Sequence, residues 1–379
     1  MRVSQVTLNT TNVQTSAFSA LAALNPQLVL VFGSVDTLRA GAAAIAESFP
    51  AAHSFGCSTA GEISSQGVGD DSLVVTALAF DTTQVRQFST ELQGMDDSEA
   101  AGRRLALGLE QQGLRAVLIL GQGVQINGSA MIAGMAGVLG KEMPITGGLA
   151  GDGGAFAQTW VLDDQGVSSN RIVCVGLYGA GLSFSHGSYG GWSSFGPARK
   201  VTRCDNNVLY ELDGEPALSV YKRYLGEHAK GLPASGLLFP FAMLGSDHNA
   251  SGLIRTILGV DEAAGSLTLA GDIEANGYLK LMHSNTDALV DGAEEAAQAA
   301  QAMHTDKGTG LALLVSCVGR KLVMGGRVDE EVEAVGEVFG LGATLAGFYS
   351  YGEISPSAGL SECKLHNQTM TITYLSETA

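Results

Sequence analysis

Short apolar runs rich in β-branched residues recur along the chain at Leu28–Ser34 (LVLVFGS), Ala116–Gln122 (AVLILGQ), Gly236–Leu244 (GLLFPFAML) and Leu311–Gly319 (LALLVSCVG). Unbroken apolar stretches of this length predict buried strands. Further β-like runs follow at Ser72–Phe80 (SLVVTALAF), Arg171–Gly179 (RIVCVGLYG) and Thr369–Leu375 (TMTITYL), and the alternation in the last predicts a strand with one solvated face. Helices are predicted over Ser98–Gln112, with Ser98 as N-cap and Gly113 as the stop, and over Pro216–Leu225, with proline in the first turn and Gly226 past the end. The Ala- and Glu-rich stretch Thr286–Met303 predicts another. Strands alternating with helices give an α/β class with largely parallel or mixed sheets.

About 30 residues after the start of each of the first four runs comes a glycine-centred motif ending in an acid. GEIS occurs at Gly61–Ser64 and Gly352–Ser355, and LAGD at Leu149–Asp152 and Leu269–Asp272. Self-similarity at comparable spacing predicts duplicated units, here two pseudo-repeated α/β halves divided near Glu215 into residues 1–215 and 216–379. Ordinary turn chemistry also places acids after glycine.

The 379 residues carry 21 Lys plus Arg against 38 Asp plus Glu, a formal charge of −17, so phosphate backbones and anionic lipid surfaces are poor partners. With 45% hydrophobic and 16% charged residues the chain can bury a large core, which excludes disorder as its main state. The first residues, MRVSQVTLNTTNVQ, hold no apolar stretch resembling a signal peptide, and no later segment has the length of a membrane span, so a cytoplasmic location is expected. Five scattered cysteines without a C-x-x-C predict buried thiols rather than disulfides.

Neither a phosphate-binding G-x-x-x-x-G-K-[ST] loop nor a G-x-S-x-G elbow is present, and the cluster Gly121–Gly128 (GQGVQING) departs from dinucleotide spacing. Nothing pairs a nucleophile with an oriented base, so a non-enzyme is expected. Glu62, Asp152, Asp272 and Glu353 hold equivalent motif positions; gathered in one cleft they would bind an ammonium group, and kept apart they would cap turns. The segment Leu182–Asp205 concentrates Phe184, His186, Tyr189, Trp192 and Phe195, then Arg199, Lys200 and Arg203. Aromatic surface, an imidazole and adjacent cations suit a flat dianionic ligand such as haem, held noncovalently with His186 as metal ligand and Arg199 and Arg203 toward the propionates. A hydrogen-bonded structural histidine is the competing account of His186.

The segments FGCSTAGEIS (Phe55–Ser64), GGLAGD (Gly147–Asp152), the Gly-Trp and Gly-Pro pairs around Trp192 and Pro197, and LDGEPALSVYKRYLG (Leu212–Gly226) resemble the N-terminal domain of the FIST sensory family. GFYSYGEISP (Gly347–Pro356) and LHNQT (Leu365–Thr369) resemble its C-terminal domain. The resemblance implies a ligand-sensing module of signal transduction, first associated with small molecules such as amino acids. It is also similar to the branch of nitric oxide sensing proteins that bind haem and signal to a histidine kinase or to cyclic-di-GMP enzymes in biofilm control. That likeness implies a gas ligand, His186 as haem ligand, an output partner in trans and a chain compatible with homo-oligomers.

Overall fold

A computed structural model describes residues 1–303, 309–356 and 362–377. The chain is α/β with mixed sheets, and its self-similarity runs deeper than two halves. Three six-stranded sheets share one strand order and one set of directions. In each, the expected apolar strand lies at the centre: Leu28–Gly33, Leu114–Gly121 or Gly310–Cys317. On one side it pairs in parallel with the strand reached through a helical crossover, respectively His53–Ser58, Ile145–Leu149 and Ala343–Ser350. On the other it pairs antiparallel with Leu73–Ala79, Arg171–Tyr178 or Met370–Glu377. Because each parallel pair is flanked by antiparallel neighbours, the sheets are mixed rather than largely parallel.

Each unit donates a hairpin to the next sheet in a cycle. Glu62–Ser64 joins the third sheet beside Ala343–Ser350, Val161–Asp163 joins the first beside His53–Ser58, and Gly352–Pro356 joins the second beside Ile145–Leu149. The equivalence reaches single residues. A Cβ at Gly56, Gly147 or Gly347 would stand about 2 Å from the carbonyl oxygen of Val31, Ile119 or Leu314 on the neighbouring parallel strand, at 2.1, 1.9 and 1.8 Å. Only glycine permits that approach.

Residues from all three sheets, among them Phe32, Leu118, Leu120, Leu313 and Phe348, form one shared core, with Phe32 stacked on Phe348 at 4.8 Å. Helices Val35–Ser48, Ser98–Gly108, Gly128–Leu139, Thr286–Ala302 and Asp329–Phe339 pack in further apolar clusters against these sheets. Met370–Ser376 is therefore buried along its whole length, and the solvated face expected from TMTITYL is absent: this central strand lies between Leu182–Tyr189 and Gly310–Cys317, with helix Thr286–Ala302 across it.

The third unit is interrupted between strand Leu182–Tyr189 and helix Thr286–Ala302 by an insertion that builds its own nine-stranded sheet and core around helix Ala217–Leu225. The run Gly236–Leu244 falls in it and is not equivalent to the other three: Ala234–Leu238 is a 3-10 turn, and Phe241–Leu244 is a short antiparallel strand. Pro240, which has no N–H to donate, separates the two. Glu215–Pro216 pairs with Glu211–Leu212 inside this sheet. Helix Ser98–Gly108 has Asp97 at its N-cap position, without a side-chain capping bond, and the Ser98 hydroxyl turns back to the Met95 carbonyl.

Candidate functional site

The loop Gly121–Gly128 leaves the carboxyl end of strand Leu114–Gly121 and enters helix Gly128–Leu139. Gln122 Oε1 holds the turn by accepting from the Val124 and Gln125 N–H groups at 2.9 Å each. Gly123 N–H donates to Thr159 Oγ1 at 2.7 Å, and a Cβ on Gly123 would lie 1.9 Å from the Ala150 carbonyl, so the glycine serves close packing. Asn127 caps the helix by accepting from Ala130 N–H at 3.0 Å, while its Nδ2 donates to Asp272 Oδ1 of the insertion at 3.0 Å.

Between this loop, the third unit's hairpin and the insertion lies a cavity of about 310 Å³. Ile126, Leu149, Leu258, Leu269 and Leu365 give it an apolar body, with Asn127, Asn207, Thr268 and Asn367 as the polar groups. Its size lies at the lower end of small-molecule pockets, and it sits where α/β sheets commonly bind ligands, at the carboxyl ends of strands. Asn367 is 1% exposed; its Nδ2 donates to the His366 carbonyl, but its Oδ1 is buried without a partner among the described residues. One wall is the loop carrying Phe156, whose ring stacks on Tyr351 at 4.1 Å. Tyr351 OH accepts from the N–H groups of Asp152, Gly154 and Phe156 at 3.3, 3.0 and 3.3 Å and donates to Asp152 Oδ1.

The four motif acids do not converge in one cleft. Asp152 accepts from the Phe156, Ala157 and Gln158 N–H groups, and it lines a smaller cavity of about 170 Å³ together with Glu62, Asp36, Asp70 and Asp71. Glu62 accepts from Thr59 Oγ1 and from Ser72 N–H and Oγ at 2.9 and 2.7 Å. Glu353 accepts at the equivalent places of the third unit, from Ser350 Oγ at 2.7 Å and from Thr369 N–H and Oγ1 at 3.2 and 3.0 Å. Burial raises both carboxyls, that of fully buried Glu353 to about 8. Asp272 lies apart, beside Asn127 and along a third cavity of about 290 Å³.

The residues read for haem lie separately. His186 pairs with Thr373 in the third sheet; its ring is half-buried, burial lowers its pKa, and it makes no hydrogen bond among the described residues. It borders none of the cavities above. Tyr189 is exposed, and Trp192 Nε1 donates to the Gln368 carbonyl at 2.8 Å. Arg199 is bound to Asp213 at 3.1 Å and Tyr224 OH at 2.6 Å, and Arg203 to Glu211 at 2.9 Å. These residues do not fit a haem as they stand: the cations already hold carboxylates of the insertion, and His186 lines none of the cavities described above. Among the described residues there is no group of three or more His, Cys, Asp or Glu able to hold a metal ion, and no helix is long and apolar enough to cross a membrane.

Residues 27–215 match the FIST N domain and residues 217–356 the FIST C domain. The chain belongs to the FIST family. The two matches meet at residues 215–217, within the insertion's sheet. An uncharacterized protein of Mycobacterium tuberculosis is 28% identical over 221 residues, 57% of each chain, so the FIST chain spans little more than half the length of that relative. An uncharacterized protein of Methanocaldococcus jannaschii is 35% identical over 95 residues, 24% of this chain and 18% of that one. The crystal structure of cyanuric acid hydrolase from A. caulinodans aligns over 100% of this chain and 99% of its own at 8% identity and a TM-score of 0.39, too distant to bear on function.

Proposed function

We propose that this FIST chain is a receptor, not an enzyme, for a small organic ligand bound in the 310 Å³ cavity between the Gly121–Gly128 loop and the insertion. The carrying observation is Asn367 Oδ1, buried without a hydrogen-bond partner among the described residues, in the lining of this cavity. A buried acceptor without a donor costs about 1 to 3 kcal/mol, and a ligand N–H would recover it. The ligand this selects has an aromatic or branched apolar body and an N–H donor, a description that apolar amino acids and nitrogen heterocycles meet. Contact with the repeat core and the insertion at once lets binding shift a conformational equilibrium. A histidine kinase or a cyclic-di-GMP enzyme would read that shift in trans.

A thermal-shift panel of amino acids and N–H heterocycles tests the reading, since a ligand at 100 times its dissociation constant adds about 2.7 kcal/mol. A hit that Asn367→Ala weakens supports it, whereas a panel without a hit contradicts it. Turnover of the hit would contradict the non-enzymatic part.

A second reading, noncovalent haem on His186 with nitric oxide as the signal, is favoured by one observation: the half-buried imidazole, whose pKa burial lowers, makes no hydrogen bond among the described residues. The paired state of Arg199 and Arg203 opposes it. An absorption spectrum after haem addition decides. A Soret band that shifts in His186→Ala supports the reading, and no band removes it.

A further inference from the structure

The side chain of Arg255 is 3% exposed, yet among the described residues no carboxylate lies within ion-pair distance of it. Its bonds go to carbonyls: Nε donates to Asp272 O at 3.1 Å, and Nη1 to Ile254 O at 3.1 Å and Leu365 O at 3.2 Å. Nη2 has no hydrogen-bond partner among the described residues, and the side chain lines the cavity of about 290 Å³. A buried guanidinium stays charged, and such charges are normally paired because desolvation costs several kcal/mol per ion. The contrast within this molecule is direct: Arg320, also fully buried, donates to Glu331 Oε2 at 3.1 and 2.7 Å.

A second observation points to the same place. Ser129, in the first turn of helix Gly128–Leu139, lines this cavity, and its hydroxyl is buried without a partner among the described residues. A Cβ built on Gly271 would stand 2.9 Å from Arg255 Nε and 3.2 Å from Ser129 Oγ, so the guanidinium and the hydroxyl flank one point. The turn adds the positive end of a helix dipole. The acids at this cavity limit what can enter. Asp272 Oδ1 is held by Asn127, Glu362 by Lys141 and Lys364 at 3.1 and 2.9 Å, and Glu274 is exposed. Three carboxylates disfavour a multiply charged anion.

We infer that the cavity at Arg255 and Ser129 is a binding site for the carboxylate of a small organic monoanion, which completes the charge balance of Arg255. This cavity adjoins the 310 Å³ cavity at Leu365, which lines both, and the inference stands without the reading given to that cavity.

Acetate, titrated against chloride at matched ionic strength with unfolding temperature as readout, tests the inference, with inorganic phosphate as a second arm. Acetate is expected to raise the melting temperature above the chloride control and to outperform phosphate. Arg255→Lys keeps the charge and removes Nη2, and is expected to weaken acetate by about tenfold, the worth of one charge-assisted hydrogen bond. Ser129→Asp guards against a misfolded lysine variant: it supplies a fixed carboxylate in the first turn and is expected to abolish the acetate response. No acetate effect in the unmodified chain, a stronger effect of phosphate, or an undiminished response in both variants overturns the inference.

Discussion

Replacing Glu353 by Gln tests the reading of the motif acids as buried caps. Glu353 is fully buried, its carboxylate accepts from Ser350 and Thr369, and no cation is bound directly to it among the described residues; burial raises its pKa from 4.5 to about 8. A carboxyl whose pKa is raised in the folded state favours folding when protonated. Its contribution is complete below the unfolded value near 4.5 and is lost as pH rises through 8. The shift of 8 − 4.5 = 3.5 units, at about 1.4 kcal/mol each, sets a ceiling of roughly 5 kcal/mol between those limits. Glutamine cannot ionise and keeps the acceptor for Ser350. Urea unfolding between about pH 5 and pH 8.5 should show the unmodified chain losing ground to Glu353→Gln by up to about 1.4 kcal/mol per pH unit. His366, held down to about 4 by burial, and His186 act in the opposite direction as pH falls, but both are present in the two proteins and cancel in the difference. Parallel stability curves, within about 0.5 kcal/mol throughout, would refute the argument.

Arg320→Met leaves fully buried Glu331 without its guanidinium and should cost about 3 to 5 kcal/mol in urea unfolding. A loss below 1 kcal/mol would show the pair to be dispensable. Tyr351→Phe removes the acceptor of three loop N–H groups, so amide exchange at Gly154 and Phe156 should accelerate with a stability loss of about 2 kcal/mol; unchanged protection would separate the tyrosine from the loop. Gly123→Ala drives a methyl into the Ala150 carbonyl and should both destabilise the chain and weaken any ligand found in the adjoining cavity. Wild-type stability and binding in that variant would contradict the packing described.

Three central strands were legible because their apolar runs are short, continuous and β-branched: Leu28–Gly33, Leu114–Gly121 and Gly310–Cys317 differ from the expected ranges by at most two residues at each end. Helix Thr286–Ala302 was equally plain from composition. The threefold plan was hidden for physical reasons. The second unit's hairpin lies nine or ten residues farther from its Gly-acid motif than in the other units, and the third unit is cut by the insertion. The second LAGD, at Leu269–Asp272, lies in that insertion, so its identity with Leu149–Asp152 reflects local sequence and not an equivalent place. GEIS, by contrast, marked a true equivalence, since Glu62 and Glu353 hold matching hydroxyls and matching N–H groups. The cavity beside Gly121–Gly128 could not be read along the chain because its wall is assembled from segments as distant as Met95, Phe156, Leu258 and Asn367. Aromatic density drew the haem reading to Leu182–Asp205, yet strand pairing sends His186 into the third sheet and Arg199 and Arg203 into the insertion.

The central claim, that a small ligand occupies the cavity between the repeat core and the insertion, is tested most directly by calorimetric titration of the strongest panel compound into the unmodified chain and into Ala270→Phe. Ala270 lines the cavity, and phenylalanine there takes up space that a ligand would need. The account predicts one site per chain with a negative heat-capacity change in the unmodified protein and no binding heat in the filled variant. Equal affinity in both proteins would contradict it.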